Sequence, residues 1–281
     1  MHLAETPEQL LLRAELRNYF AALLTDEVRA ALGSPGENAE EFRRVIRQIG
    51  ADGWLGLAWP TEYGGQGRSA VDQFIMFDEI QRAHAPFPFV TVNTVGPAIM
   101  AHGTEAQKQR FLPKIAKGEL TYCFGLTEPE SGSDAAALTT RAEATGNGSY
   151  LINGQKVFTS GMDISDYCLL VTRTSKRERK QEGITMFLVD TKLPGIEVRK
   201  IDTLGHRAIG TTQVFYNDVE VPADMVIGEV DNGWTSVDAC LWYERLCLSA
   251  ARTGTAQAAF ELALDYAKSR EQFGRPIGKF Q

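Results

Sequence analysis

The feature that most constrains the fold is a central stretch, residues 121–230, that lacks helical periodicity and lies between two helical stretches. Short apolar or alternating runs separated by Gly-, Asn- and Pro-containing turns are typical of strands in a small barrel or sandwich. The predicted strands are residues 149–152, 167–173, 184–190, 196–200 and 212–221. Turns are predicted at residues 146–148, at Asn153-Gly154 and at residues 193–195. The charged run 175–182 is predicted to be an exposed hairpin tip.

The first 120 residues have apolar side chains at three- and four-residue spacings, which predict amphipathic helices. The predicted helices cover residues 7–31, 41–49, 70–84 and 104–115. Thr104 has the position of an N-cap, and Gln107 follows it at the spacing of a capping box.

The third part, residues 234–270, repeats the helical pattern and contains a single glycine, Gly254. It predicts one very long helix or two stacked ones. A lone long helix cannot bury its apolar stripe by itself. The segments that cover this stripe must come from the first part, from further residues of the protein or from a second subunit. The expected fold class is therefore α+β multidomain, with a helical domain at 1–120, a β-domain at 121–231 and a helical domain from 232 to 281.

Composition and charge exclude several classes of function. A chain of 281 residues with a formal charge of -7 does not have the charge of a nucleic-acid-binding protein. The four cysteines form no CxxC pair and have no neighbouring His cluster, so neither a metal site nor a disulfide framework is predicted. Free thiols and an N-terminus with neither a signal peptide nor a membrane anchor predict a cytoplasmic protein.

Five short motifs occur in a characteristic order along the chain. They are YCFGLTEPESGSD at residues 122–134, NGQKVFTSG at 153–161, FYNDVEVP at 215–222, Glu244-Arg245, and REQFGRPI at 270–277. Together they resemble the acyl-CoA dehydrogenase family. The resemblance implies an N-terminal helical domain, a middle β-domain and the start of a C-terminal four-helix bundle, with FAD between the last two. It also implies that the family's chain continues beyond residue 281.

The resemblance assigns the first motif to flavin binding. Phe124, Leu126, Thr127 and Ser133 match the stretch with which family members hold the flavin. Backbone N–H groups and a hydroxyl such as that of Thr127 can stabilise negative charge near flavin N1 and O2. Ser133 would also lie near the bound acyl-CoA. The alternative interpretation of this motif is a turn followed by a helix N-cap.

The second motif is expected to face the flavin ring. Phe158, Thr159 and Ser160 match the stretch that packs on the ring and donates a hydrogen bond toward N5. Many members have Trp where this chain has Phe158, so stacking is retained but the indole N–H is lost. Considered alone, Phe158 is more typical of a core residue.

Glu244 is the predicted catalytic base. Removal of the proton next to a thioester carbonyl needs a carboxylate in a desolvated pocket. Family members carry this Glu at one of two places, and Glu244-Arg245 matches the placement in isovaleryl-CoA dehydrogenase-like members. The alternative is that Glu244 is a structural carboxylate and that the base lies beyond the end of this sequence. Leu241 and Arg245 are the implied substrate contacts.

The last motif implies that the flavin site is shared between subunits. Arg270 and Phe273 match the element in which the Arg meets the pyrophosphate of a neighbouring subunit's flavin, and Gln281 aligns with a further contact. The alternative is a helix C-terminal turn closed by Gly274 and Pro276. A shared site predicts a homo-tetramer or a hetero-tetramer.

The predicted activity is FAD-dependent α,β-dehydrogenation of an acyl-CoA thioester to the 2,3-enoyl-CoA. The predicted electron acceptor is an electron-transferring flavoprotein. Two alternatives remain open, a non-catalytic partner subunit of a heteromeric dehydrogenase and an acyl-CoA oxidase-like flavoprotein. The sequence does not define the acyl chain.

Overall fold

The computed structural model of the protein describes residues 4–33, 38–205 and 209–280, and it describes Tyr243 by its backbone only. Two compact units divide the chain. The first contains Met1–Arg29, Arg68–Phe87 and Arg245–Gln281, and the second contains Ala30–Gly67 and Pro88–Glu244. This division follows contacts rather than sequence order, and the expected three-domain division at residues 120 and 231 stays a prediction.

The helical stretches of the sequence form helices, with one correction. The seven α-helices of the described residues are α1 Pro7–Leu23, α2 Asp26–Gly33, α3 Asn38–Ala51, α4 Ala70–Arg82, α5 Gly96–His102, α6 Glu105–Ala116 and α7 Trp234–Ser269. The prediction of one helix over residues 7–31 is wrong, because the chain breaks after α1 and restarts at α2. Thr25 explains the restart, since its Oγ1 accepts a hydrogen bond from Val28 N at 3.4 Å.

The middle of the chain is a β-domain built on one eight-stranded sheet. Its strands are β1 Tyr122–Gly125, β2 Arg141–Ala144, β3 Ser149–Ser160, β4 Tyr167–Arg173, β5 Ile184–Asp190, β6 Ile196–Ile201, β7 Thr211–Pro222 and β8 Val226–Ile227. The order is β6-β7-β3-β2-β4-β5-β8, and β1 pairs with β4 in parallel. All five predicted strands are confirmed, and with the flanking helices they confirm the α+β fold class.

The predicted turn at Asn153-Gly154 is wrong, because β3 runs through it. The pairing of β3 with β7 shifts register between Ile152 and Gly154, which marks a β-bulge. Gly154 has φ 149°, and a Cβ there would lie 2.6 Å from the Cα of Thr140. The glycine therefore allows close approach of two backbones rather than a reversal of the chain.

In the second unit, α6 is held by the capping box predicted from the sequence. Thr104 Oγ1 accepts from Gln107 N at 3.2 Å, and Gln107 Oε1 accepts from Thr104 N at 2.8 Å. The remaining Nε2 of Gln107 donates to the carbonyls of Asp224 and Val226 at 2.7 and 2.8 Å. One side chain thus caps the helix and attaches it to the end of the sheet.

The first unit is held by charged side chains between its helices. Glu79 of α4 is 1% exposed, and its carboxylate accepts from Arg13 at 2.8 Å and from Arg17 at 2.6 Å, both on α1. Arg82 of α4 pairs with Glu261 of α7. The long apolar pattern forms one helix, since α7 has 36 residues without a break.

Candidate functional site

The first two motifs lie next to each other in the β-domain. The backbone N–H of Val157 donates to the carbonyl of Thr127 at 2.8 Å. The ammonium of Lys156 donates to the carbonyl of Leu126 at 3.0 Å. These two bonds fasten the loop after β1 alongside β3, so Thr127 and Phe158 lie on neighbouring segments.

A buried ion pair, which sequence reasoning missed, lies behind this loop. Lys156 Nζ is 2.9 Å from Glu128 Oε1, and the two side chains are 0% and 4% exposed. Glu128 also accepts from the backbone N–H groups of Thr139 and Thr140 at 2.6 and 2.8 Å. Burial raises the pKa of Glu128, but the charge of Lys156 and these hydrogen bonds outweigh it and lower that pKa to about 2. In the sequence, the only indication of this ion pair was that the first motif contains Glu128 and the second contains Lys156.

The side chain of Phe158 is exposed and does not pack in the core of the β-domain. Its side chain is 64% exposed, although it belongs to a strand whose neighbouring residues Lys156 and Thr159 are buried. The β3–β7 register shifts between Lys156 and Thr159, and Phe158 has φ 59°. A left-handed conformation is unfavourable for a bulky side chain and is concentrated at functional sites. The bulge therefore points an aromatic ring away from the core at a cost in backbone strain.

The two hydroxyl residues that follow point to opposite sides. Thr159 is 1% exposed, and within the described part of the chain no group hydrogen-bonds to its Oγ1. Ser160 is exposed and pairs with Thr211 of β7. A ligand that packs on Phe158 therefore meets the hydroxyl of Ser160 more readily than that of Thr159.

The rest of the first motif forms a tight turn. Phe124, Leu126 and Thr127 are half-buried, and Ser133 is exposed. The backbones of Glu128 and Ser131 exchange two hydrogen bonds, both of 3.1 Å. The loop thus presents Thr127 and Ser133 at the surface of the β-domain.

Glu244 lies on α7, half-buried, in the second unit. Its Oε2 accepts a hydrogen bond of 2.7 Å from Thr94 Oγ1. Leu241 is half-buried three residues earlier, and Cys240 is buried one turn earlier on the same face. Burial, followed by the charge of Glu244, raises the pKa of the Cys240 thiol to about 12. The thiol is therefore neutral beside the carboxylate.

Thr94 belongs to a segment that sequence reasoning missed altogether. Thr91–Val95 is a π-helix, referred to below as the π turn, and all five residues are buried. Thr91 Oγ1 accepts from Tyr122 N at 2.8 Å and donates to Tyr122 O at 3.1 Å, which ties the π turn to β1. Asn93 is 1% exposed, with no partner for Nδ2 among the described residues. The available signal was three polar residues inside an otherwise apolar run.

The remaining predicted residues belong to the first unit. Arg245 and Arg270 are exposed, and Phe273 is 93% exposed with φ 53°. Phe273 lies between two short paired strands, β9 Glu271–Gln272 and β10 Arg275–Pro276, directly after α7. Gln281 lies outside the described residues, so its predicted contact stays a prediction.

The residues of the second unit fit an isoalloxazine ring system. An exposed aromatic side chain in a strained conformation can stack on a flat ring, and the hydroxyls of Thr127 and Ser160 can meet polar atoms at the edges of such a ring. The described ranges contain no group of three His, Cys, Asp or Glu side chains able to hold a metal ion. All four cysteines are free and buried. None of the helices in those ranges is long and apolar enough to cross a membrane.

Models of known protein families match all three parts of the chain. The acyl-CoA dehydrogenase N-terminal domain matches residues 6–119, the middle domain residues 123–219 and the C-terminal domain residues 231–281. Acyl-CoA dehydrogenase FadE29 of Mycobacterium tuberculosis is 44% identical over 246 residues, which cover 88% of this chain. The match spans 63% of the length of that relative. An acyl-CoA dehydrogenase of Bacillus subtilis is 34% identical, over 98% of this chain and 72% of its own.

The solved structure of the ChsE4-ChsE5 complex from Mycobacterium tuberculosis is similar over 100% of this chain and 71% of the matched chain. Its TM-score is 0.89 at 40% sequence identity. The sequence motifs, the fold and these relatives agree. The chain therefore belongs to the acyl-CoA dehydrogenase family, whose fold binds FAD.

Proposed function

We propose that this chain provides the flavin-binding face and the catalytic base of an acyl-CoA dehydrogenase. The observation that carries the proposal is Phe158, an aromatic ring displayed at a β-bulge with φ 59° beside the loop at Thr127. Strained backbone conformations cluster at active sites and ligand-binding sites. The family supports FAD as that ligand.

On this proposal, Phe158 stacks on the ring and Ser160 provides the hydroxyl directed to its N5 edge. Thr127 and the backbone of Phe124 and Leu126 serve the opposite, polar edge. Ser133 contacts a phosphate group or the bound acyl-CoA. Thr159 is the weakest member of the predicted set, because its side chain is buried and offers no surface to a ligand.

Glu244 is the proposed base. It removes the proton from the carbon next to the thioester carbonyl, and the released electron pair forms the new double bond as a hydride leaves the adjacent carbon. When bound, FAD accepts that hydride. Thr94 and the neutral Cys240 thiol surround the carboxylate, and Leu241 lies on the same helix face. Neither Thr94 nor Cys240 places a charge beside the carboxylate.

The substrate and partners are proposed from relatives. A solved steroid acyl-CoA dehydrogenase, Tcur3481-Tcur3483, is 42% identical with a TM-score of 0.88, which favours a CoA thioester with a bulky, ring-containing acyl group. Arg245 is the proposed contact to CoA. Arg270, Phe273 and Gln281 are proposed to contact FAD of a neighbouring subunit in a tetramer. An electron-transferring flavoprotein is the proposed acceptor, and the four free cysteines favour the cytoplasm.

A second candidate is a non-catalytic subunit of a mixed complex. The similarity to chains of the ChsE4-ChsE5 complex favours this alternative, because two different chains associate there. Glu244 and its hydrogen-bond donor Thr94 argue for a catalytic subunit instead. No separate observation favours an oxidase.

The experiment uses the full-length protein with any subunit that copurifies. Anaerobic mixing with short-chain, branched and steroid acyl-CoA thioesters should bleach the flavin absorbance with at least one of them. Glu244→Gln should retain flavin and bind the same thioester but abolish bleaching, because the amide accepts no proton at neutral pH. Glu143→Gln is the matched control, since Glu143 is exposed on β2. Full bleaching by Glu244→Gln would remove Glu244 from the role of base, and a colourless protein that FAD does not reconstitute would refute the whole proposal.

A further inference from the structure

The hydrogen bond between Thr94 and Glu244 connects two segments far apart in sequence. Thr94 is 0% exposed, and its Oγ1 lies 2.7 Å from Oε2 of Glu244. A hydroxyl can donate one hydrogen bond, and the Thr94 hydroxyl donates it to the Glu244 carboxylate. Within the described residues, the recorded hydrogen bond of Glu244 is made by Oε2, which leaves Oε1 to accept a substrate proton. The arrangement holds a flexible Glu side chain in one orientation without blocking both of its oxygens.

The backbone that carries Thr94 is firmly fixed. In the π turn the N–H of Gly96 donates to the carbonyl of Thr91, five residues earlier. Such turns are rare and occur frequently at functional sites. A Cβ on Gly96 would lie 2.3 Å from Cζ2 of Trp59, so the indole packs directly on the helix backbone. Thr91 anchors the other end to Tyr122 through two hydrogen bonds.

The surroundings of Glu244 show what the donor can do there. From the π turn, Thr94 faces the carboxylate with a neutral hydroxyl. From α7 itself, Cys240 faces it with a thiol whose pKa lies at about 12. Neither group changes its charge between about pH 5 and 9. The hydrogen bond from Thr94 therefore acts on the orientation of the Glu244 carboxylate.

We propose that Thr94 is a positioning residue that orients Glu244 for proton abstraction. The inference rests on the proposed role of Glu244 as base. Thr91 of the π turn is hydrogen-bonded to Tyr122, the first residue of β1, and β1 leads directly into the flavin-binding loop. The π turn therefore also holds the base in a fixed position relative to that loop.

The test compares Thr94→Val, which keeps the volume and removes the donor, with Thr94→Ser, which keeps the donor. We expect Thr94→Val to lower kcat about 10- to 100-fold with little change in KM, since a hydrogen bond to a charged group is lost. Thr94→Ser should restore kcat, because it restores the donor.

Thr172→Val is the matched control. Thr172 is also 0% exposed, and its Oγ1 donates to the carbonyl of Thr185 at 3.2 Å, away from Glu244. It should lower the unfolding midpoint without lowering kcat. Flavin content and near-UV circular dichroism establish that each variant folds. A purely structural role of the Thr94 hydroxyl would give both valine variants the same kcat.

The outcomes separate the two proposals. If Glu244→Gln is inactive but Thr94→Val has the wild-type kcat, the positioning role is overturned and the proposed function stands. If Glu244→Gln turns over at the wild-type rate, both roles are overturned. A loss of kcat in Thr94→Val that Thr94→Ser does not reverse also contradicts the proposal, since the missing hydroxyl would then not be its cause.

Discussion

Glu128→Gln removes one charge from the buried pair behind the flavin-binding loop. The amide cannot accept as many hydrogen bonds as the carboxylate, and it leaves the ammonium of Lys156, which is 0% exposed, without the counter-charge of Glu128. Breaking a buried ion pair by removing one partner costs about 3–5 kcal/mol, because the other charge stays buried without compensation. We expect this substitution to destabilise the fold by that amount at pH 7.

The pKa of Glu128 gives an independent magnitude. It falls from the ordinary 4.5 to about 2 in the folded protein. At about 1.4 kcal/mol per pH unit, this difference corresponds to about 3 kcal/mol of stability. Because the pKa of the folded state is depressed, the contribution is fully present above about pH 4.5 and is lost as the pH falls toward 2.

Urea-induced unfolding measures this dependence. The free energy of unfolding of the wild type should exceed that of Glu128→Gln by about 3 kcal/mol or more between pH 5 and 7. The difference should shrink steadily below about pH 4.5, by up to about 1.4 kcal/mol per pH unit. Glu130→Gln is the matched control, because Glu130 is exposed in the same loop. It should change stability by less than about 0.5 kcal/mol.

The variant Lys156→Met completes a double-mutant cycle. The double variant should lose less stability than the sum of the two single variants, with an interaction energy of at least about 1 kcal/mol. Additive effects, or a Glu128→Gln penalty that persists unchanged down to pH 3, would refute the claim that the pair acts as a unit.

Three further substitutions test other parts of the structure. Phe158→Gly should be about 1 kcal/mol more stable than Phe158→Ala in thermal unfolding, because only glycine relieves φ 59°, and both should retain less FAD by absorbance. Equal stability of the two would exclude backbone strain there. Gly96→Ala should cost about 1–3 kcal/mol, because its Cβ would lie 2.3 Å from Trp59, and a neutral effect in urea unfolding would contradict the packing. Thr104→Ala should cost about 1 kcal/mol through the lost cap of α6, whereas Thr104→Ser should cost much less in the same assay.

Local patterns in the sequence determined the element types and the family. Short apolar runs such as residues 184–190 became strands with unchanged bounds, because apolar and β-branched residues favour an extended backbone where they are buried. The Thr104–Gln107 spacing predicted a cap that formed as expected, since a capping box involves only four consecutive residues. Where the local signal was ambiguous the prediction was wrong. Asn153-Gly154 is typical of a hairpin turn, but pairing of β3 with both β2 and β7 kept it in a strand.

Tertiary structure alone decided how the site residues are held. Phe158 differs from a core residue only because a register shift at Lys156 rotates it outward, and the shift depends on pairing with a strand more than fifty residues away. The same is true of Thr94, which reaches Glu244 across 150 residues of sequence. Sequence motifs define which residues are chemically able to serve the site. Their placement depends on long-range pairing and burial, and these interactions are not encoded in any single short segment of the chain.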